Sequence, residues 1–256
     1  LRIDTSNKKL KGEIIMKVGS IGSIIKKVLL FTLGAVVVSA TASHLYWKYS
    51  GSGEWELLHV KDGVTVHTLK ASGETHLQFK MQGTFTGSLG AIMKVMRDPE
   101  ACDEIGCFDS KIIKTQDYPR YQYYTFKYAY GSPFDDRQYV VRSEFKQDPI
   151  TKEIYTDFKA AVDLLPEDDC CVRVTHMHNI WEFKPLGGNQ VEVQFTLNEK
   201  PNGWVPYFLF NQIHTSTVHQ NVEWLQEILD LDKYKNAVVD YVEEYEPVTT
   251  AVSTSE

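Results

Sequence analysis

From His76 to Phe85 the chain alternates, with Leu77, Phe79, Met81, Gly83 and Phe85 on one face and Gln78, Lys80, Gln82 and Thr84 on the other. A period of two with one apolar face predicts a half-buried antiparallel strand. Val64 to Leu69 also reads as a strand and follows Asp62-Gly63, a tight-turn pair, so a turn precedes it. The period then changes. Leu89, Ile92, Met93 and Met96 recur at helical spacing behind Ser88, which predicts a helix over 88–97 with Ser88 as its cap. A second short helix is expected over 99–105. Strands are expected over 109–115, 121–130, 137–147, 153–162, 171–184 and 189–199, divided by Pro, Gly, Asp and Asn. One long helix closes the chain: Pro206 occupies a first-turn position, and Leu209, Ile213, Val218, Val222, Leu225 and Leu229 continue an apolar stripe. The polar residues from Val238 onward are expected to lack fixed structure. The fold class is therefore α+β, an antiparallel sheet with its helices on one side.

The N-terminal segment has a different pattern. Met16 opens MKVGSIGSIIKKVLLFTLGAVVVSATAS, in which Lys17, Lys26 and Lys27 lead, Val28 to Ala40 is free of charge, and Ala40-Thr41-Ala42 supplies a small-x-small site. These are the three parts of a secretory signal peptide. The apolar run is shorter than the roughly 20 residues a spanning helix needs, which favours a removed leader over a retained anchor. Lys11-Gly12-Glu13, just before Met16, matches an in-frame ribosome-binding site, so residues 1–15 are expected to be an untranslated extension of a bacterial gene. The expected organisation is a leader or anchor over 16–42, a linker over 43–54, a domain over 55–235 and a polar tail over 236–256. The body is expected to be exported, in the periplasm or anchored to the inner membrane facing it.

Charge narrows the partners. The 256 residues carry a net charge of −7, but residues 1–42 hold seven of the 27 basic and two of the 34 acidic side chains, leaving the rest at −12. A body that acidic, without a basic stripe, is not built for nucleic acid. A peripheral enzyme working on anionic lipid surfaces is disfavoured as well. Cys102 and Cys107 are close enough to bridge across a turn and Cys170-Cys171 are neighbours; spacing leaves both pairs open between bridged and free.

Pro133-Phe134-Asp135-Asp136-Arg137-Gln138-Tyr139-Val140-Val141 resembles the signature of START (steroidogenic-acute-regulatory-related lipid-transfer) domains. Gly203-Trp204-Val205-Pro206 with Asn211-Gln212 is similar to that family's approach to its C-terminal helix, and Trp55 with Asp62-Gly63-Val64-Thr65-Val66 to its opening. Arg173 and Phe183-x-Pro185 fit as well. The resemblance covers residues 55–235. It implies a helix-grip fold: a curved antiparallel sheet wrapped around a long C-terminal helix, with a hydrophobic cavity that binds and shields or transfers one lipid; the partner so implied is a hydrophobic small molecule or lipid, with transient membrane contact. Two positions depart from the pattern. Gln138 stands where many members carry Asp, and Ser143 where some sterol-binding members carry a second arginine, while Arg142 points to the opposite face. Sterol is therefore not the favoured ligand.

On that reading Phe79, Met81 and Phe85 line the cavity from the first sheet strands, and Tyr124 and Phe126 from the tyrosine-rich strand. Tyr139, Val141, Ser143 and Phe145 share the inward face of the next strand. His176 supplies a hydrogen-bonding group, and Phe208 with Ile213 the helix side. Asp135, Asp136 and Arg137 are read as a turn pinned by an ion pair, and with Gly203 and Pro206 as the gate or structural motif. Two adjacent acids in a polar turn stay solvated, so no acid–base pair is expected there. His176 and His178 share a strand face, but Cys170-Cys171 lack ligand spacing, so no metal and no cofactor is expected. No nucleophile elbow, phosphate loop or H-E-x-x-H occurs, so no catalytic residue is named and no enzymatic activity is expected. The alternative is a helix-grip cyclase or hydrolase acting on an aromatic or polyketide-like substrate.

Overall fold

A computed structural model describes the backbone of residues 4–246 and the side chains of residues 24–246. The tail expected over 247–256 lies outside the described residues. The chain divides into two compact units, residues 1–51 and 52–256.

The first unit is one helix, α1 (Asp4–Tyr49). Its stretch Ile24–Tyr49, 26 residues, is long and apolar enough to cross a membrane. The apolar run was expected to end at Ala40; the helix continues through Leu45, Tyr46 and Trp47, so length no longer separates a removed leader from a retained anchor.

The second unit opens with β1 (Trp55–Lys61), β2 (Val64–Leu69) and β3 (Gln78–Thr86), followed by α2 (Leu89–Arg97) and α3 (Ala101–Glu104). Then come β4 (Cys107–Lys114), β5 (Tyr121–Tyr128), β6 (Arg137–Gln147), β7 (Ile154–Ala160), β8 (Val172–Arg173), β9 (His176–Gly187), β10 (Gln190–Leu197) and β11 (Glu199–Lys200). Helices α4 (Tyr207–Thr217) and α5 (Gln220–Leu229) close it. The strands form one sheet in the order β1-β2-β3-β10-β9-β7-β6-β5-β4, with β11 paired to β9 and β8 parallel to β6. Asp62 and Gly63 both take positive φ, 51° and 80°, as the tight β1–β2 hairpin requires.

The expected alternation over β3 is present: Phe79, Met81 and Phe85 are fully buried. Their cover is α5, whose Val222, Leu225, Ile228 and Leu229 join them in the main core with Val64, Val66, Val191 and Val193. Gly83 permits the approach, since a Cβ there would meet Val222 Cγ1 at 3.2 Å. Two side-chain amides fasten the closing helices to β3. Asn211 on α4 accepts from Leu77 N and donates to Thr75 O, and Gln226 on α5 accepts from Thr86 N and donates to Thr86 O.

The single closing helix of the sequence pattern is divided at Val218–His219. In the preceding turn Ser216 and Thr217 hydroxyls donate back to the carbonyls of Gln212 and Ile213, which competes with the helical ladder. The α2 cap is as expected, with Ser88 Oγ accepting from Ala91 N at 3.1 Å. The tail differs from expectation up to residue 246. Tyr241 packs edge-on against Tyr118 and Phe145, and the Glu244 carboxylate accepts from Leu89 N and Gly90 N at 3.0 and 2.7 Å, adding a charged cap to α2. Both cysteine pairs are bridged, Cys102 to Cys107 and Cys170 to Cys171.

The Asp135-Asp136-Arg137 motif is a clamp without an ion pair. Arg137 is 1% exposed; its Nε donates to Pro201 O at 2.6 Å, its Nη2 to Asn202 O at 2.9 Å and its Nη1 to Asp135 O. The expected carboxylate partner is replaced by main-chain oxygens, because the guanidinium fork reaches across to the turn that leads into α4. Asp136 Oδ1 accepts instead from Tyr130 N, and the Tyr130 ring covers the guanidinium at 4.6 Å. Gly203, at φ 63°, leaves Arg137 Nη2 only 3.3 Å from where a Cβ would sit. Pro206 caps α4. A second buried arginine, Arg173, donates to Gln138 Oε1 at 2.9 Å and to the carbonyls of Val162, Leu165 and Pro166. Gln138 thus serves as a neutral acceptor where related motifs carry an acid.

Two stability predictions follow from these contacts. Arg137→Met strands buried carbonyls and is expected to cost about 3–5 kcal/mol, read as a fall in chemical-denaturation midpoint. Glu244→Ala removes the cap and is expected to cost about 1 kcal/mol, a thermal-midpoint shift of roughly 2–4 °C by circular dichroism.

Candidate functional site

The sheet and the closing helices do not fill the space between them. A cavity of about 480 Å³ remains toward the β4–β6 end. Its floor is an aromatic ladder. Alternation along β5 turns Gln122, Tyr124, Phe126 and Tyr128 to the same side. Phe126 stacks on Tyr139 of β6 at 4.8 Å and lies between Tyr124 and Tyr128. Met177, Asn179 and Trp181 of β9 and Phe195 and Leu197 of β10 form one wall, with Trp181 and Phe195 stacked at 4.0 Å. Ile213, Thr217, Val218, Trp224 and Ile228 form the roof, and α2, α3 and the start of β4 the far wall. Ile105, Ile213 and Trp224 line the cavity and are also 38%, 49% and 43% exposed, which places the mouth between the α3 end and the closing helices.

Each end of the ladder carries polar groups. At the Gln122 end Arg97, from the last turn of α2, donates through Nε to Gln122 Oε1 at 3.2 Å, and Gln122 returns a bond to Arg97 O. At the Tyr128 end Glu199 accepts from Tyr139 Oη at 3.5 Å and from Asn179 Nδ2 at 3.3 Å. Tyr128 lies six strand positions beyond Gln122, roughly 20 Å at the usual rise. Burial pushes the Tyr124 phenol up, with Arg97 pulling against it. Burial and then the Glu199 charge push up Tyr128 and Tyr139, and Tyr130 to about 12. The phenols are therefore neutral donors at physiological pH.

Of the residues expected on the wall, Tyr124, Phe126, Tyr139 and Ile213 line the cavity. The others do not. Phe79, Met81 and Phe85 face inward but belong to the filled core, Phe79 stacked on His214 of α4 at 5.8 Å and all three clustered with the α5 side chains. Val141 packs beneath the ladder beside Phe158 and Val174, Ser143 is fully buried, and Phe145 lies against Arg97 and Tyr241. Of the inward face of β6 only Tyr139, near the start of the strand, reaches the cavity. His176 has the wrong parity: Met177 and Asn179 point in, while His176 is exposed and bonded to Asn198. His178, on the same outer face, meets the Asp157 carboxylate at 3.1 Å. Phe208 is 64% exposed, because α4 turns Ile213, His214 and Thr217 inward instead. Asp135, Asp136, Arg137, Gly203 and Pro206 belong to the clamp and are not on the cavity wall. Lining residues that the alternation pattern missed include Arg97, Gln122, Asn179, Trp181, Glu199 and Trp224.

No family profile matches the chain. An uncharacterized protein of Pseudomonas aeruginosa is 21% identical over 160 residues, spanning 62% of this chain and 78% of that protein. Among solved structures, the STAR-related lipid transfer protein fragment from Xanthomonas axonopodis superposes with a TM-score of 0.63 at 22% identity, covering 70% of this chain and 100% of the fragment. Human STARD10 superposes at 0.62 with 12% identity, over 76% of this chain and 80% of that one. Human StAR-related lipid transfer protein 5 gives 0.59 with 13% identity, over 77% and 96%. With the sheet order and the closing helices described above, these likenesses show that the chain has the helix-grip fold of START lipid-transfer domains.

Proposed function

We propose that the body encloses one hydrophobic ligand and shields it from water, for storage or for transfer between membranes. The observation that carries this reading is the cavity of about 480 Å³ with an aromatic and aliphatic lining. That volume lies within the roughly 300–1,000 Å³ of ligand pockets, and a few placed polar groups in an apolar wall are how such pockets set orientation. Each methylene withdrawn from water adds about 0.8 kcal/mol, so a long chain laid on the ladder needs no catalytic chemistry to be held. The Xanthomonas fragment and human StAR-related lipid transfer protein 5 are lipid-transfer proteins by description, which supports a lipid as the ligand. The apolar α1 supports export or membrane attachment of the body.

The enzyme alternative requires an acid and a base with separated proton affinities facing the substrate. Here Glu199 is engaged by Tyr139 and Asn179, and the neighbouring phenols are held neutral. We read both as orienting groups.

The full chain, purified from a bacterial host and extracted with organic solvent, is expected to release a lipid in a fixed ratio to protein by mass spectrometry. Thr217→Trp, which fills the cavity from α4, is expected to lower that ratio at least fivefold while the fold is retained. An empty wild-type protein, or a lipid content unaffected by the filled cavity, refutes the reading; a chemically altered guest favours the enzyme. The phenols supply a pH prediction. Their folded proton affinity exceeds the unfolded one, so above pH 10 the unfolded state loses protons first and stability falls as pH rises toward about 12. Denaturant midpoints measured across that range check this, and Tyr130→Phe is expected to flatten the decline.

A further inference from the structure

Three basic side chains meet where the closing helix is divided. His219, in the break between α4 and α5, is 3% exposed. Its Nε2 lies 2.7 Å from Nζ of Lys61, the last residue of β1. An ammonium has donors and no acceptor, so Lys61 donates and Nε2 is the ring nitrogen without a proton. The ring proton is then on Nδ1, which is buried and has no partner. His59 of β1 meets His219 edge-on with ring centroids 5.7 Å apart, and its Nε2 is also buried and unpartnered. Burial, then the charges of His219 and Lys61, hold the His59 imidazole below its ordinary 6.5. The other charged groups nearby leave this cluster basic. Asp62, from the β1–β2 turn, stands 3.7 Å from Lys61 and is 61% exposed. Glu223, one turn along α5, forms no ion pair among the described residues. His214 on α4 is bonded through Nδ1 to Phe210 O, and His67 on β2 alternates away from the buried Val64 and Val66.

The same joint is part of the cavity roof, since Thr217, Val218 and Asn221 line the cavity. Asn211 and Gln226 pin α4 and α5 to β3 on either side of it, so the position of residues 218–219 sets the angle between the two helices. Resting on the reading above, we propose that His219, Lys61 and His59 form an acid-sensitive latch: it holds the roof down over the guest, and protonation of the imidazoles lifts the joint and speeds the guest's exit. Nδ1 of His219 already carries a proton, so a second one enters at Nε2, where it faces the Lys61 ammonium. Two cations at 2.7 Å repel and share no hydrogen bond. Either the lysine, whose side chain is 54% exposed, swings out to water, or the imidazole leaves its place. In both cases the bond that ties the joint to β1 is lost. A proton on His59 Nε2 meets the same positive neighbours and no acceptor. His59 binds protons less readily folded than unfolded. Its contribution to the closed form is therefore complete above about pH 6.5 and is lost as pH falls through the lowered folded value.

The test times guest exchange on the full chain in detergent. The protein is loaded with oleyl alcohol, which has no group that titrates in this range, and mixed with excess deuterated oleyl alcohol. The replacement is followed by native mass spectrometry at about pH 7.5 and about pH 5.5, on either side of the ordinary imidazole value. Exchange in the wild type is expected to be about tenfold faster at the lower pH, the equivalent of one pKa unit of differential interaction, with the circular dichroism spectrum unchanged. In His219→Gln, whose amide oxygen still accepts from Lys61 but takes no proton, the two rates are expected to agree within about twofold. Lys61→Met leaves the joint untied at every pH and is expected to exchange fast at both. Equal wild-type rates overturn the proposal and leave the hydrophobic-ligand reading standing. So does an acceleration that survives in His219→Gln, or one that coincides with loss of the helical signal. If oleyl alcohol does not bind at all, both fail. Should His219→Gln not fold, Lys61→Met decides: slow exchange at the higher pH overturns the latch.

Discussion

A guanidinium buried without an acid holds the sheet to the segment that leads into the closing helices. Arg137 stands at the start of β6 and reaches the carbonyls of Pro201 and Asn202. Those carbonyls belong to the turn before α4, so the direction of the helix over the sheet is set from the strand side. Gly203 is needed at that point for its positive φ and for its missing side chain. The charge stays buried because oxygens and the Tyr130 ring replace its water shell. Without this fixture the roof of the cavity would have no defined height.

The interior is divided by how closely each helix approaches the sheet. Over β3 and β10, α5 presses in and its aliphatic side chains complete an ordinary core. Over β5 and β6 the floor is made of large flat rings packed on one another, Tyr124, Phe126 and Tyr139 stacked and Tyr128 edge-on, and rings committed to each other do not rise to meet the roof. One fold thereby contains a packed half and a hollow half. Charged side chains on its wall lie at the two ends, Arg97 and Asp98 at one and Glu199 at the other.

The periodicity of two made most strands and their inward faces readable before any coordinates. It could not say which inward residues meet a helix and which meet empty space, since that depends on β3 pairing with β10 and β7 with β9 across long stretches of chain. Phe79 and Tyr124 look alike in the pattern and have opposite surroundings. On β9 the odd-numbered Trp181 and Phe183 carry the inward parity, which leaves the even-numbered His176 on the outer face. Arg97 was legible in part. It falls on the apolar stripe of α2, eight residues after Leu89, where a charged side chain is out of place. The partners of Arg137 were not legible, because main-chain carbonyls carry no signature in a sequence.

The paired amides of Asn211 and Gln226 have a mechanical outcome. They stitch both closing helices to the two ends of β3, one at Thr75 and Leu77 and the other at Thr86. That margin acts as the spine of a book. The Cys102–Cys107 bridge, which ties α3 to the first residue of β4, stiffens the opposite frame. A cover bound along one margin and facing a rigid frame swings clear only at its fore-edge, where Ile105, Ile213 and Trp224 already touch solvent. For the guest proposed above, passage would leave the β3 hydrogen bonds intact and ask only that a few exposed apolar side chains part.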